Sequence, residues 1–164
     1  MENVNWKYFR LVEEFLDVLC YSDDTHKFDF GDVSRYVMPR LCDTVENAEN
    51  LDKNLEQEIY KIDFALQSFY KSGAIRKNAE IMCETENCGM YIVKKDEDFQ
   101  WDNSYKCGKC YKDTTPIEKT KSKVYAKYIL TPEYVYHVRI FSKMRNYGVS
   151  ATLVEVITDG ALEN

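Results

Sequence analysis

The chain has 164 residues, 45% hydrophobic and 30% charged, with 13 tyrosines but only 6 glycines and 3 prolines. This composition excludes a disordered or low-complexity chain and favours regular elements packed in one domain or two small ones. A net charge of −6 argues against a general polyanion binder, and no apolar run approaches the roughly 20 residues of a membrane helix.

The opening MENVNWKYFR lacks the basic region and apolar core of a signal peptide. The expected location is therefore cytoplasmic, with no membrane partner and with thiols kept reduced. Charge is uneven along the chain. Residues 1–72 carry 8 basic and 15 acidic side chains, whereas residues 73–130 carry 11 and 9.

Residues 4–20 place Val4, Phe9, Val12, Phe15, Leu16 and Leu19 at helical spacing, which predicts an amphipathic first helix. YSDDTHKFDFGD breaks that pattern with turn formers. A second helix is expected from near Asp32 with Val33, Tyr36, Val37 and Leu41 on one face, and Pro39 disturbs its end. Leu51, Leu55, Ile59, Ile62, Leu66 and Phe69 then form a 4-4-3-4-3 seam, predicting one continuous helix of about five turns. Gly73 is its expected cap. The seam fits packing on the first two helices, and it also suits pairing with a second copy of the chain.

From Ala74 the texture changes. AIRKNAEIMCE, GMYIVKKDE and KVYAKYILT are rich in β-branched and aromatic residues and predict strands. Thr131-Pro132-Glu133 is a helix start, leading a helix to Gly148. SATLVEVIT closes the chain as a strand or a further helical piece. The fold class expected is α+β: a helical unit over 1–73 with three helices, a β unit over 74–130, and a C-terminal helix and tail over 131–164.

Six cysteines occur. Cys20 and Cys42 sit singly among apolar residues, as buried thiols do. Cys83, Cys88, Cys107 and Cys110 form C-x4-C and C-x2-C separated by 18 residues. A structural zinc ion is held by four thiolates offered as two close pairs from two turns, and 18 residues suit two strands and a loop between them. Gly89 and Gly108 beside the ligands permit a positive φ in tight turns. A redox C-x-x-C would sit at a helix N-terminus, and YKCGKCYKDTTP leads into no convincing helix. The metal reading, with structural Zn2+ as cofactor, is preferred.

Residues 83–110 resemble a zinc ribbon, with KCGKC close to that family's usual knuckle and CETENCG wider than it. The resemblance implies a small antiparallel sheet with one metal at its end, and no activity. The wider spacing leaves Glu84 and Glu86 as competing oxygen ligands. More loosely, helices followed by such a ribbon resemble winged-helix-plus-ribbon proteins of transcription and small accessory subunits of bacterial multi-protein systems.

No phosphate-binding glycine loop, nucleophile elbow or H-E-x-x-H is present. His26, read as an exposed turn residue, and His137, read as facing the core, lie far apart. No catalytic residues are expected. The preferred function is a non-enzymatic adaptor or accessory subunit with a protein partner. The alternative is nucleic-acid binding through Tyr105, Lys106, Lys109, Tyr111, Lys112, Lys119, Lys121 and Lys123, where lysines neutralise phosphates and tyrosines stack on bases.

Overall fold

The computed structural model describes residues 2–22, 26–42, 44–116 and 124–146, with side chains over 6–22, 26–42, 44–116 and 124–143. Helix α1 (Glu2–Cys20) buries Tyr8, Leu11, Val12 and Leu16, while Phe9, Phe15 and Leu19 pack partly buried beside them. The two-residue strand β1 (Lys27–Phe28) follows, in a stretch whose composition reads only as turn. Helix α2 (Phe30–Leu41) starts two residues before Asp32 because Asp29 caps it. The Asp29 carboxylate accepts the Asp32 N–H at 2.9 Å, and the Asp32 carboxylate accepts the Asp29 N–H at 2.9 Å. That reciprocal capping box satisfies two otherwise orphaned donors. Pro39 lies in the last turn, where it withholds the N–H that would bond to the Arg35 carbonyl, and the helix ends two residues later.

The seam expected as one helix is two: α3 (Val45–Lys53) and α4 (Leu55–Lys71). The break is at Asn54, whose φ of −117° and ψ of 23° leave the helical region. Its side-chain amide donates to the Asn50 carbonyl at 2.8 Å, the local competition by which asparagine interrupts helices. Only the second half of the seam is core. Ile62, Ala65 and Leu66 are buried, whereas Leu55 and Ile59 are exposed and α3 contributes only the partly buried Leu51. Among its described residues the N-terminal part therefore has four helices, not three. At the far end of α4 the Gly73 N–H bonds to Tyr70 O and the Ala74 N–H to Phe69 O, both at 3.1 Å. This is a Schellman cap, with Gly73 at the φ of +83° it requires.

Strands β2 (Ile75–Met82), β3 (Tyr91–Lys95) and β4 (Val124–Leu130) join β1 in one antiparallel sheet of order β1-β4-β2-β3. Register pairs Ile75 with Leu130, Ile81 with both Val124 and Ile92, and Phe28 with Tyr128. Phe28 and Tyr128 stack with ring centroids 5.6 Å apart, so even the shortest strand contributes to the core. Helix α5 (Pro132–Asn146) begins as expected at Thr131. The Thr131 hydroxyl lies 3.0 Å from the Gly73 and Ala74 carbonyls, and the Thr131 N–H donates to Ala74 O at 3.0 Å. One residue thus ties the start of α5 to the end of α4. SATLVEVIT lies outside the described residues.

The fold is α+β, with five helices and a four-stranded sheet among the described residues. Its larger core draws on α1, α2 and α4 but also on Ile75, Tyr128, Leu130 and Val135, so it reaches across residues 73/74 and 130/131. A second, smaller cluster of Ile81, Cys83, Cys88, Ile92, Tyr105 and Cys107 lies at the β2–β3 end. Among the described residues no helix is long and apolar enough to cross a membrane.

Candidate metal centre

The first knuckle is the turn between β2 and β3. The Cys83 N–H donates to Met90 O at 2.9 Å and the Cys88 N–H to Thr85 O at 3.1 Å, folding CETENCG back on itself. Four intervening residues fit because Asn87 and Gly89 both take positive φ, at 62° and 64°. Asparagine and glycine are the residues that enter this region at least cost. An Asn directly before the second cysteine is a signal the sequence reading missed.

The second knuckle is a hairpin closed by the bridge between Lys106 and Asp113. The Cys107 N–H donates to Lys112 O and the Tyr111 N–H to Cys107 O, both at 3.0 Å. Here the expectation about glycine fails. Gly108 keeps ordinary backbone angles, and Tyr111 takes the left-handed conformation at φ 60°. Tyr111 follows its cysteine as Gly89 follows Cys88, so the knuckle geometry assigns the strained position and sequence composition does not. The 18 residues between the pairs also differ from two strands and a loop. They hold β3, a 3-10 turn (Asp96–Asp98) and a further turn at Trp101–Asp102, closed by the Asn103 N–H on Gln100 O at 3.3 Å, before the bridge.

These two turns bring the four sulfurs together. All four Sγ atoms lie within 4.8 Å of one another. Cys83 Sγ is 3.6 Å from Cys110 Sγ, and Cys88 Sγ is 3.7 Å from Cys107 Sγ. A tetrahedron with metal–sulfur bonds of about 2.3 Å has edges of about 3.8 Å, so the donor set fits one four-coordinate ion. None of the six cysteines is in a disulfide. Cys83, Cys88 and Cys107 are buried and Cys110 is half-buried. Glu84, the competing ligand, is engaged elsewhere, accepting the Thr115 hydroxyl at 2.8 Å. Glu86 is exposed and lies outside the four-sulfur group.

The surroundings favour thiolate in the second knuckle. The Thr85 hydroxyl, 3.4 Å from Cys110 Sγ, and then the Lys112 backbone amide hold the Cys110 thiol down at about 6. Backbone amides of Cys110 and Lys109 lower Cys107, the Lys109 N–H donating to its sulfur at 3.4 Å. At Cys88 the Met90 amide acts in the same sense, but burial and the three neighbouring thiols outweigh it and push this thiol up to about 11. Such groups orient ligands and tune their basicity, and Thr85 belongs with them. The Lys109 ammonium donates to Cys88 O at 3.1 Å, so one knuckle's lysine clamps the other knuckle's backbone.

Tyr105 is not an exposed stacking residue. It is buried, stacked on Phe99 with centroids 6.0 Å apart, and its hydroxyl accepts the Gln100 N–H at 2.7 Å. Lys106, Lys109, Tyr111 and Lys112 are exposed at the knuckle tip, and Lys119, Lys121 and Lys123 lie outside the described residues. The histidines are far from the sulfur cluster in role. His26, half-buried rather than exposed, has a φ of 54° and accepts the Leu130 N–H at its carbonyl, and His137 is exposed rather than core-facing, beside Phe141. Cys20 is fully buried, as expected, and burial pushes its thiol up to about 11. Cys42 is only half-buried. Compared with protein-family models, curated proteins and solved structures, the chain has no match.

Proposed function

We propose that the chain is a zinc-stapled, non-catalytic interaction module that serves as an adaptor or accessory subunit in a larger assembly. Zinc is the natural occupant of four thiolates at tetrahedral spacing, and four protein ligands leave no position for a reacting water. The observation that carries the reading is this close, mostly buried set of four sulfurs, flanked by amide and hydroxyl donors. It suits a scaffold, and the ribbon it holds is the zinc-ribbon-like part of the chain.

The arrangement of the rest supports a winged-helix type. Helices α1, α2 and α4 accompany a β1-β4-β2 sheet, and the ribbon is an insertion between β2 and β4. In a helix–turn–helix the second helix enters the major groove, and in this reading α4 would take that role. Its sequence presents Glu56 and Asp63 beside Tyr60 and Phe64, which repels phosphates. This favours a protein partner. A nucleic-acid reading draws on one observation, the exposed Lys106, Lys109, Tyr111 and Lys112 at the second knuckle.

Native mass measurement is expected to find one zinc per chain. Salt-dependent titration with random single- and double-stranded nucleic acid separates the two functional readings. Weak binding at low salt that is indifferent to Lys109→Ala and Lys112→Ala supports the adaptor, and a loss on those substitutions overturns it. Affinity purification from the native cell is expected to return a stoichiometric protein partner.

A further inference from the structure

Away from the metal centre, a cleft of about 420 Å³ lies between α5 and the residue that precedes β1. Its size is that of a small-molecule site. Leu130, Pro132, Val135 and Ile140 form an apolar wall, and His26, Tyr136, Arg139 and Lys143 bring polar groups to it. Tyr136, Arg139 and Lys143 follow at helical spacing, so they share one side of α5. Among the described residues no acid lines the cleft, in a chain whose net charge is −6. Asp23 and Asp24 lie outside the described residues. Glu13 and Asp17, the acids of α1 that approach α5, line a separate groove with Tyr134 and His137 on its opposite side.

Polar capacity is held unused in this cleft. Arg139 Nε and Nη2 both donate to the Cys20 carbonyl, at 3.0 and 2.8 Å. Those two bonds fix the guanidinium plane. They leave Nη1 open and the charge without a carboxylate partner among the described residues. Lys143 is exposed and forms no ion pair with a described residue. His26 holds a φ of 54°, a region that residues with a Cβ seldom enter, while its carbonyl accepts the Leu130 N–H at 3.1 Å. Its ring Nε2 is buried and has no hydrogen-bond partner. Unusual backbone and an unpaired buried nitrogen in one residue are costs that cluster where a protein binds something.

We infer that this cleft binds a small organic anion, a carboxylate or phosphate monoester carried on an apolar body. The head accepts from Arg139 Nη1 and Lys143 Nζ, and the His26 ring turns its unused nitrogen toward it. The body lies along Leu130, Val135 and Ile140. Few placed polar groups over a mostly apolar wall are what orient such a ligand, and a fixed guanidinium beside a mobile ammonium selects the negative head. The inference stands apart from the interaction-module reading and neither needs nor excludes a protein partner.

The probes are phenylacetate and phenyl phosphate, with benzylamine as the cationic control and inorganic phosphate as a head without a body. Each is titrated to about 5 mM, the range that ligands of this size require, into the zinc-loaded full chain at constant ionic strength. Amide chemical shifts along α5 report binding. Saturable binding of one or both organic anions is expected, and the tighter one names the head group. Benzylamine and inorganic phosphate are each expected to bind at least about fivefold more weakly. Lys143→Gln and Arg139→Gln, checked for unchanged melting, are each expected to weaken the anion about fivefold, as for partly exposed charge pairs. His26→Asn keeps a residue that tolerates the left-handed backbone and removes the ring, and it is expected to do the same. Lys53→Gln, on α3 and away from the cleft, is expected to change affinity less than about twofold. Failure of both organic anions to saturate, or benzylamine or inorganic phosphate binding as tightly as they do, would overturn the inference. So would a loss with Lys53→Gln equal to that with Lys143→Gln. The comparison of probes needs no variant, so it decides even where Arg139→Gln lowers the melting temperature.

Discussion

Among the described residues, sixteen buried side chains close the core beneath α1, α2 and α4, whereas six close the ribbon, and three of those six are cysteines. The larger core is fused by apolar area, with Val12, Leu16, Ile62 and Leu66 fully buried. The smaller one has only Ile81, Ile92 and Tyr105 to bury besides its sulfurs. Apolar burial contributes about 25 cal/mol per Å², and three such side chains hold few turns against chain entropy. A metal ion held by the four sulfurs would do there what packing does in the helical part. The two regions are joined through β2, which starts in one core at Ile75 and ends in the other at Ile81.

The largest effect that tests this contrast is metal removal. Structural zinc contributes about 10–16 kcal/mol in zinc-finger peptides, so chelation or Cys107→Ser is expected to melt the ribbon and leave the helical signal standing. Far-UV circular dichroism with amide hydrogen exchange reads both, and identical melts with and without chelator would refute it. The reciprocal perturbation is Leu66→Ala. Emptying a fully buried leucine site costs about 2–5 kcal/mol, and it is expected to lower the helical transition without releasing zinc into a colorimetric indicator.

Smaller effects compare the two knuckles with each other. Tyr111 is 73% exposed and holds a left-handed backbone, so Tyr111→Gly loses little contact and relieves about 1 kcal/mol of strain. Gly89→Ala introduces strain of similar size at φ 64°. Opposite shifts in apparent zinc affinity are expected, measured by competition with a chelator. If both moved the same way, the two knuckles would not be equivalent.

The smallest effect is in the helical part and depends on pH. The Lys127 hydrogen bond, working against burial, lowers the Asp29 carboxyl below its ordinary 3.8. A depressed carboxylate contributes stability that is complete above 3.8 and is lost as pH falls through the lower folded value. The pair is partly exposed and solvent-screened, so its worth is under about 1 kcal/mol. Asn caps as well as Asp, so Asp29→Asn removes the pair and keeps the cap. Its deficit in urea unfolding is expected at neutral pH and to vanish in acid, and a deficit that persists in acid would implicate the cap instead.

The sequence alone determined many features that depend on neighbours a few residues apart, though not the break at Asn54 or the positive φ at Tyr111. The two cysteine knuckles, the Gly73 cap, the Thr131 start and the strands at 75–82 and 91–95 are local patterns, because a turn, a cap or a pleat is set by its own backbone and adjacent side chains. Tertiary structure decided what needs partners distant in sequence. It chose the pairing of Lys27–Phe28 with β4, sent Tyr105 and Tyr128 inside while leaving Tyr60 and Tyr111 out, and made core of Ile62 and Leu66 but not of Leu55 and Ile59. A tyrosine or leucine has the same local preferences in either setting, and its burial is fixed only when another element arrives to cover it.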